Sequence, residues 1–173
     1  MSKNYIVELT QHEIDNAGKL SEKRLKTFFG GNKHPGESKH IQDKTSNGKG
    51  YSYKVGALGE VAFGKAICEI PDRSISATGD DGYDFTVNEL NIEIKTTRRA
   101  AKELLVRNDR MQSGHYEDTD VYVCVYQRDI KTYEILGYAT YEQVLEKDPR
   151  NHPKSITNKV IPEDELKTTE YNT

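Results

Sequence analysis

The fold is decided by one stretch, Tyr83-Asp84-Phe85-Thr86-Val87-Asn88-Glu89-Leu90-Asn91-Ile92-Glu93-Ile94-Lys95. In its second half apolar and polar residues alternate strictly. With a side-chain period of two, Leu90, Ile92 and Ile94 share one face of a strand, and Asn91, Glu93 and Lys95 share the other. In its first half Phe85 and Val87 face the core, while Asp84 and Thr86 oppose them. Two short strands, 83–87 and 90–96, are therefore predicted, joined around Asn88-Glu89. Folding the chain about that pair sets Val87 opposite Leu90, Thr86 opposite Asn91, Phe85 opposite Ile92 and Asp84 opposite Glu93. Directly opposed side chains hold their Cβ atoms about 4.5–5.5 Å apart. The pattern thus sets two carboxylates side by side, with Lys95 two residues beyond one of them.

Facing carboxylates repel unless positive charge lies between them. Mg²⁺, a hard cation that takes one or two carboxylates plus water and phosphate oxygens, answers that need. Lys95 then lies where it can orient or deprotonate a metal-bound water. Such a site makes a nucleophile near neutral pH and stabilises the charge of phosphodiester hydrolysis. Alone, E-x-K on a strand is most often a solvated charge pair. The correctly phased Asp84, and the turn Gly79-Asp80-Asp81-Gly82 before it, strengthen the catalytic reading. Asp80 and Asp81 are rival ligands, but they fall in the turn, and Asp81 does not stand opposite Glu93. Upstream, Glu60 shares a helical face with Phe63 and Ile67. An acid in an apolar stripe is costly unless it is paired or reaches a polar pocket. A salt bridge, even with Lys95, would place Glu60 in much the same spot.

Working outward, residues 5–9 read as a short strand. Thr10 with Glu13 is a capping-box pattern opening a helix through Ile14, Ala17, Leu25 and Phe28, closed by Gly30-Gly31. Residues 30–52, rich in Gly, Lys, Ser and Asn, read as a mobile loop. A helix over 55–69 is apolar almost all round, hence central, and stops at Pro71. Residues 98–110 are basic and partly helical. A strand over 121–126 has its antiparallel partner over 133–139, across a turn at Asp129. Thr140 with Gln143 opens a short helix to Lys147, and the tail from 148 is given little regular structure. The fold class is α/β, a mixed β-sheet flanked by helices. Residues 1–54 are an appended helix and basic loop, 55–147 the core, and 148–173 a polar extension.

Bulk properties bound these readings. A chain of 173 residues, 34% hydrophobic and 31% charged, fits one compact domain with a thin core. No apolar run approaches the roughly 18 residues needed to span a bilayer, and Met1-Ser2-Lys3-Asn4-Tyr5 lacks a signal-peptide core. The cytoplasm is the expected location. Cys68 and Cys124, without CxxC spacing, are expected as buried free thiols. The net charge of −3 averages an uneven chain. Between residues 19 and 54 stand nine basic residues and three acidic ones, which suits phosphate contact and a solvated loop equally. The five histidines show no HExxH or finger spacing, which argues against zinc. No GxxxxGK[ST] or G-x-S-x-G occurs, so neither a nucleotide cofactor nor a serine elbow is expected.

Taken together, Gly59-Glu60 in a helix, Gly79-Asp80-Asp81-Gly82-Tyr83-Asp84-Phe85, and Ile92-Glu93-Ile94-Lys95-Thr96-Thr97 resemble the PD-(D/E)xK nuclease superfamily. The resemblance covers roughly residues 55–140 and implies a restriction-endonuclease-like α-β-β-β-α-β core. It implies Asp84, Glu93 and the main-chain carbonyl of Ile94 as metal ligands, and Lys95 as the water-activating residue. Glu60 would bind a second metal or a metal-bound water. Tyr83 departs from the motif, where its name has Pro. The implied activity is Mg²⁺-dependent hydrolysis of DNA, most simply endonucleolytic, with Mn²⁺ as a substitute. Relatives with one such core often dimerise to cut two strands, so a homodimer is among the arrangements implied. Arg98, Arg99 and Lys102, with Arg107 and Arg110, follow the Lys95 strand as candidates for DNA phosphates, and Lys49 and Lys54 come second. Tyr51 and Tyr53 could stack on bases, though packing under the loop is the simpler role; His34 and His40 are weaker candidates. Two other classes stay open: a non-catalytic nucleic-acid- or partner-binding protein on the same fold, and an acidic mimic of DNA.

Overall fold

The computed structural model describes residues 5–30, 49–69, 82–153 and 155–168. Strand β1 (Tyr5–Glu8) leads into helix α1 (Gln11–Gly30). The helix opens on the expected capping box: the Thr10 N–H donates to Glu13 Oε2 at 2.6 Å, and the Glu13 N–H donates to Thr10 Oγ1 at 3.3 Å. Helix α2 spans Lys49–Ile67, so the last residues of the expected loop are helical. The rest of that loop (31–48, with His34 and His40) and Gly79-Asp80-Asp81 lie outside the described residues. Then follow β2 (Phe85–Val87), β3 (Leu90–Thr97), β4 (Leu104–Arg107), α3 (Asn108–Gln112), β5 (Val121–Gln127), β6 (Thr132–Thr140), α4 (Tyr141–Leu145), β7 (Arg150–Asn151) and β8 (Thr157–Ile161).

Five strands form one sheet in the order β1-β6-β5-β3-β2. Among the described residues only β3 and β5 run parallel within it, so the sheet is mixed and the chain is α/β. The hairpin of β2 and β3 pairs as its alternation requires: Phe85 with Ile92, Thr86 with Asn91, Val87 with Leu90. Asn88 and Glu89 turn it with positive φ at both positions (49° and 68°), the geometry of a two-residue hairpin loop matched to strand twist. A second, antiparallel sheet has the order β4-β8-β7.

Two apolar clusters lie on opposite faces of the main sheet. On one, Val7, Phe85, Ile94, Val123, Val125, Tyr133 and Ile135 meet Ile14 and Ala17 of α1 and Ala57, Leu58, Ala62 and Phe63 of α2. On the other, Tyr122, Cys124, Leu136 and Ala139 meet Leu104, Val106, Met111, Tyr116, Val144 and Ile161. Strand β5, Val121-Tyr122-Val123-Cys124-Val125, is apolar throughout because both of its faces are covered.

Several expectations change. The tail is not without regular structure, because β8 pairs with β4 and sends Ile161 into the second cluster. Alternating Val160 and Lys159 within polar surroundings hid a strand too short to show a period. The N-terminal segment is integral: β1 is an edge strand of the main sheet, and α1 covers its first face. Residues 98–110 contain β4 besides a single turn of helix. Cys68 is exposed just past the end of α2, whereas Cys124 is buried as expected; neither is in a disulfide. Leu90, phased toward the core, is 47% exposed because it sits at the hairpin tip beyond the covering helix. Among the described residues no helix is long and apolar enough to cross a membrane.

Candidate active site

The site grows from the point where β2 gives out. Asp84 stands just before that strand, and its N–H donates to the Ile92 carbonyl at 2.8 Å, continuing the ladder by one bond. Its side chain takes over from there: the Ile94 N–H donates to Asp84 Oδ2 at 2.8 Å. In an extended strand the N–H and C=O of one residue point to the same edge. The Ile94 carbonyl therefore leaves β3 on the side of the Asp84 carboxylate. Gly82 brings Asp84 here. It has φ +89°, and a Cβ on it would stand 2.1 Å from the His115 carbonyl oxygen, so only glycine fits. The Thr119 hydroxyl donates to the Gly82 carbonyl at 2.6 Å, pinning this segment to the loop that carries Tyr116.

Glu93 and Lys95 project from the opposite face of β3 to Ile94, beside Tyr122 and Cys124 of β5. Because the second cluster roofs that face, Glu93 is only 5% exposed. Lys95 Nζ donates to Glu93 Oε1 and, at 3.0 Å, to the hydroxyl of Tyr116. Burial works against the ammonium, but the Glu93 carboxylate and Tyr116 outweigh it and raise its pKa, so Lys95 stays charged. Glu93 Oε2 is buried and has no hydrogen-bond partner among the described residues.

Glu60 arrives from the other side of β3, carried by α2. The helix can lie against the strand because Gly59 has no side chain: a Cβ there would meet Thr96 Oγ1 at 1.8 Å. Both Glu60 oxygens accept from one guanidinium nitrogen of Arg24, at 2.9 Å each. The salt bridge is thus with α1 and not with Lys95. Asp84 senses the whole assembly. Burial first, then the charges of Glu60 and of Glu93, hold its carboxyl well above the usual aspartate range, against the opposing pull of the Ile94 N–H and Lys95.

The four predicted residues are therefore brought together: Asp84, Glu93 and Lys95 on adjoining positions, with Glu60 close enough for its charge to act on Asp84. Among the described residues no three of His, Cys, Asp and Glu converge as a group that could hold a metal ion. A site of Asp84, Glu93 and the Ile94 carbonyl needs only two carboxylates, and Mg²⁺ completes such a shell with water and phosphate oxygens. The unmatched, buried Glu93 Oε2 and an all-oxygen donor set fit that ion.

The basic candidates divide. Lys102 is turned inward, 3.3 Å from Glu134 and 3.5 Å from Glu163, with its ammonium 5.2 Å from the Tyr126 ring centroid. Arg98 and Arg99 are exposed directly after β3, Arg99 lying 4.0 Å from Glu103. Lys54 is half-buried, its Cε close to Gly18 of α1. Arg107 pairs with Asp109, and Arg110 is exposed. The side chains of Lys49, Tyr51 and Tyr53 lie outside the described residues.

Two members of the site carried no individual weight in the sequence. Arg24 counted only within a basic segment, yet it continues the buried stripe Ile14, Ala17, Ser21 at helical spacing, a signal of the same kind that marked Glu60. Tyr116 sits in a polar loop with nothing to distinguish it. Comparison of the chain with protein families, with curated proteins and with solved structures gave no match.

Proposed function

We propose that this protein is a Mg²⁺-dependent nuclease of the restriction-endonuclease-like kind, hydrolysing phosphodiester bonds in DNA as an endonuclease. The observation that carries the reading is the buried, unpartnered Glu93 Oε2 beside an Asp84 whose ionisation its neighbours oppose. A site that concentrates carboxylates out of water and leaves one oxygen unmet is built to be completed by a cation. Asp84, Glu93 and the Ile94 carbonyl would hold it. The bound ion would supply a hydroxide-like water near neutral pH and a counter-charge for the phosphate. Lys95 does the orienting: an ammonium kept charged by Glu93 and Tyr116 is a hydrogen-bond donor, which favours positioning the water or a phosphate oxygen over removing a proton. Among the described residues the charges balance on this reading. Glu60, Asp84 and Glu93 face Arg24 and Lys95, and a divalent ion with one phosphodiester brings the group to neutrality. Arg98 and Arg99, exposed directly after β3, would be the cations that meet flanking phosphates.

Supercoiled plasmid DNA with and without Mg²⁺ tests the proposal. The expected result is nicking with Mg²⁺ or Mn²⁺, none with chelator, and a loss on the order of 100-fold or more in Asp84→Ala and Lys95→Ala. Tight DNA binding without cutting would replace the enzyme by a binding protein. No affinity for DNA at all would point to the acidic mimic.

A further inference from the structure

We infer that the centre takes one divalent ion rather than two, with Arg24 of α1 standing in for the second as a fixed cation on Glu60. The inference rests on the nuclease reading and concerns how many ions that site holds. Three observations carry it. Both oxygens of Glu60 are engaged by the same guanidinium at 2.9 Å, in a pair where Glu60 is 7% exposed. The unmet oxygen of the site belongs to Glu93 and not to Glu60. Glu60 and Glu93, although each near enough to Asp84 to act on it electrostatically, do not converge with it as a three-carboxylate group that could hold a metal.

The physical argument follows from the pairing. Recruiting Glu60 to an ion would break its bond to Arg24 and leave a guanidinium, three-quarters buried, beside a newly arrived double charge. Like charges so close in a dry site repel strongly. With Arg24 in place, the Glu60 side already has its positive charge and needs no ion to supply it. Arg24 acts through Glu60 and is a positioning residue: it keeps that carboxylate fixed and neutralised next to Asp84. The position of α1 gives that helix a part in the centre, through Arg24, and not merely in the core.

Counting bound Mn²⁺ on the full chain, by the electron paramagnetic resonance of the free ion at millimolar concentration, tests this without reference to cutting. The wild-type protein is expected to bind one ion, and Glu60→Gln is expected to bind one as well. Asp84→Asn binds none. Arg24→Ala, which releases Glu60, takes up a second. Two ions on the wild type, falling to one in Glu60→Gln, would overturn the inference while leaving the nuclease reading intact. A folded Arg24→Ala that still counts one ion would overturn the role given to Arg24. If Arg24→Ala does not fold, the wild-type and Glu60→Gln counts decide. No ion on the wild type would remove the metal centre itself, and this inference with it.

Discussion

Replacing Gly59 by alanine tests whether one close contact between α2 and β3 sets the geometry of the site. In an exposed helix the change is favourable by about 1 kcal/mol, because glycine gives up more backbone entropy than alanine. Here the new Cβ would stand 1.8 Å from Thr96 Oγ1, 3.0 Å from Thr96 Cβ and 3.1 Å from Thr96 Cγ2. Rotating the threonine relieves the first contact but not the second, so helix and strand must separate. Overpacking of this kind costs about 1–3 kcal/mol. With the propensity gain subtracted, Gly59→Ala should lose up to about 2 kcal/mol, a fall in Tm of up to roughly 8 °C for a chain of this size. Gly56 is the internal control. It lies one turn earlier in the same helix, and a Cβ on it meets nothing within 4 Å. Gly56→Ala should therefore keep the propensity gain and raise Tm by roughly 2–4 °C.

The consequence for the site is sharper than the consequence for stability. Glu60 follows Gly59 and Lys95 precedes Thr96, so separating the two elements moves groups that must converge. Displacements of about 1 Å can cost on the order of 100-fold in rate. Nicking by Gly59→Ala should fall much further than its Tm suggests, while Gly56→Ala nicks normally. Thr96→Ala removes two of the three crowding atoms, together with a buried hydroxyl that has no partner among the described residues. The double variant Gly59→Ala/Thr96→Ala should recover at least about 1 kcal/mol relative to additivity. Thermal unfolding by circular dichroism, beside the plasmid assay, reads both effects. If Gly59→Ala behaved like Gly56→Ala in Tm and in nicking, the packing account of the site would be wrong.

Two further predictions concern ionisation and thiols. Asp84→Asn keeps an oxygen to accept from the Ile94 N–H but removes a carboxyl whose ionisation burial, Glu60 and Glu93 all oppose. Below about pH 4 the carboxyl is protonated in folded and unfolded chains alike. As pH rises the unfolded chain ionises first and wild-type stability drops through the raised folded pKa, so the variant's advantage appears above about pH 4 and persists at pH 7. Urea unfolding at pH 4 and pH 7 without divalent ions should show it, and Mg²⁺ should then stabilise the wild type alone; a variant less stable at every pH would refute the electrostatic account. For the thiols, a chromogenic disulfide reagent should titrate one group rapidly in the native protein, Cys68, and the second only on unfolding. Cys124 is buried and its thiol is pushed up to about 12. Two equally fast thiols would contradict the placement of β5.

The parts of the fold that could be read were those with a repeating physical signal. The strict alternation at Leu90–Lys95 set the hairpin and its register, and Thr10 with Glu13 and Thr140 with Gln143 marked two helix starts that form as capping boxes. What escaped had either too few residues for a period or a period pointing to a partner that was not in view. Strand β4 has four residues and pairs only with distant sequence; β8 has five, and its one local partner, β7, has two. Lys49 to Ser52 reads as loop by composition, yet it becomes the first turn of α2 because the helix continues into buried Val55, Ala57 and Leu58.

The second layer is also what turns a pattern into a site. Alternation alone puts Asp84, Glu93 and Lys95 on one face, and on an exposed sheet that face would be a weakly interacting, hydrated set of charges. Leu104, Val106, Tyr116 and Ile161 cover it instead, and they come from stretches whose sequence looks polar. Covering the face removes water from Glu93, raises the cost of ionising Asp84 and gives Lys95 a hydroxyl to lean on. On the other side of β3, Arg24 and Glu60 arrive as a ready-made pair from two helices packed against the sheet. The chemistry proposed here therefore depends less on the four residues as a motif than on the two layers that keep them dry. A variant that opened the second layer while leaving all four in place, such as Ile161→Asp, should lose ion binding along with the fold of β4 and β8.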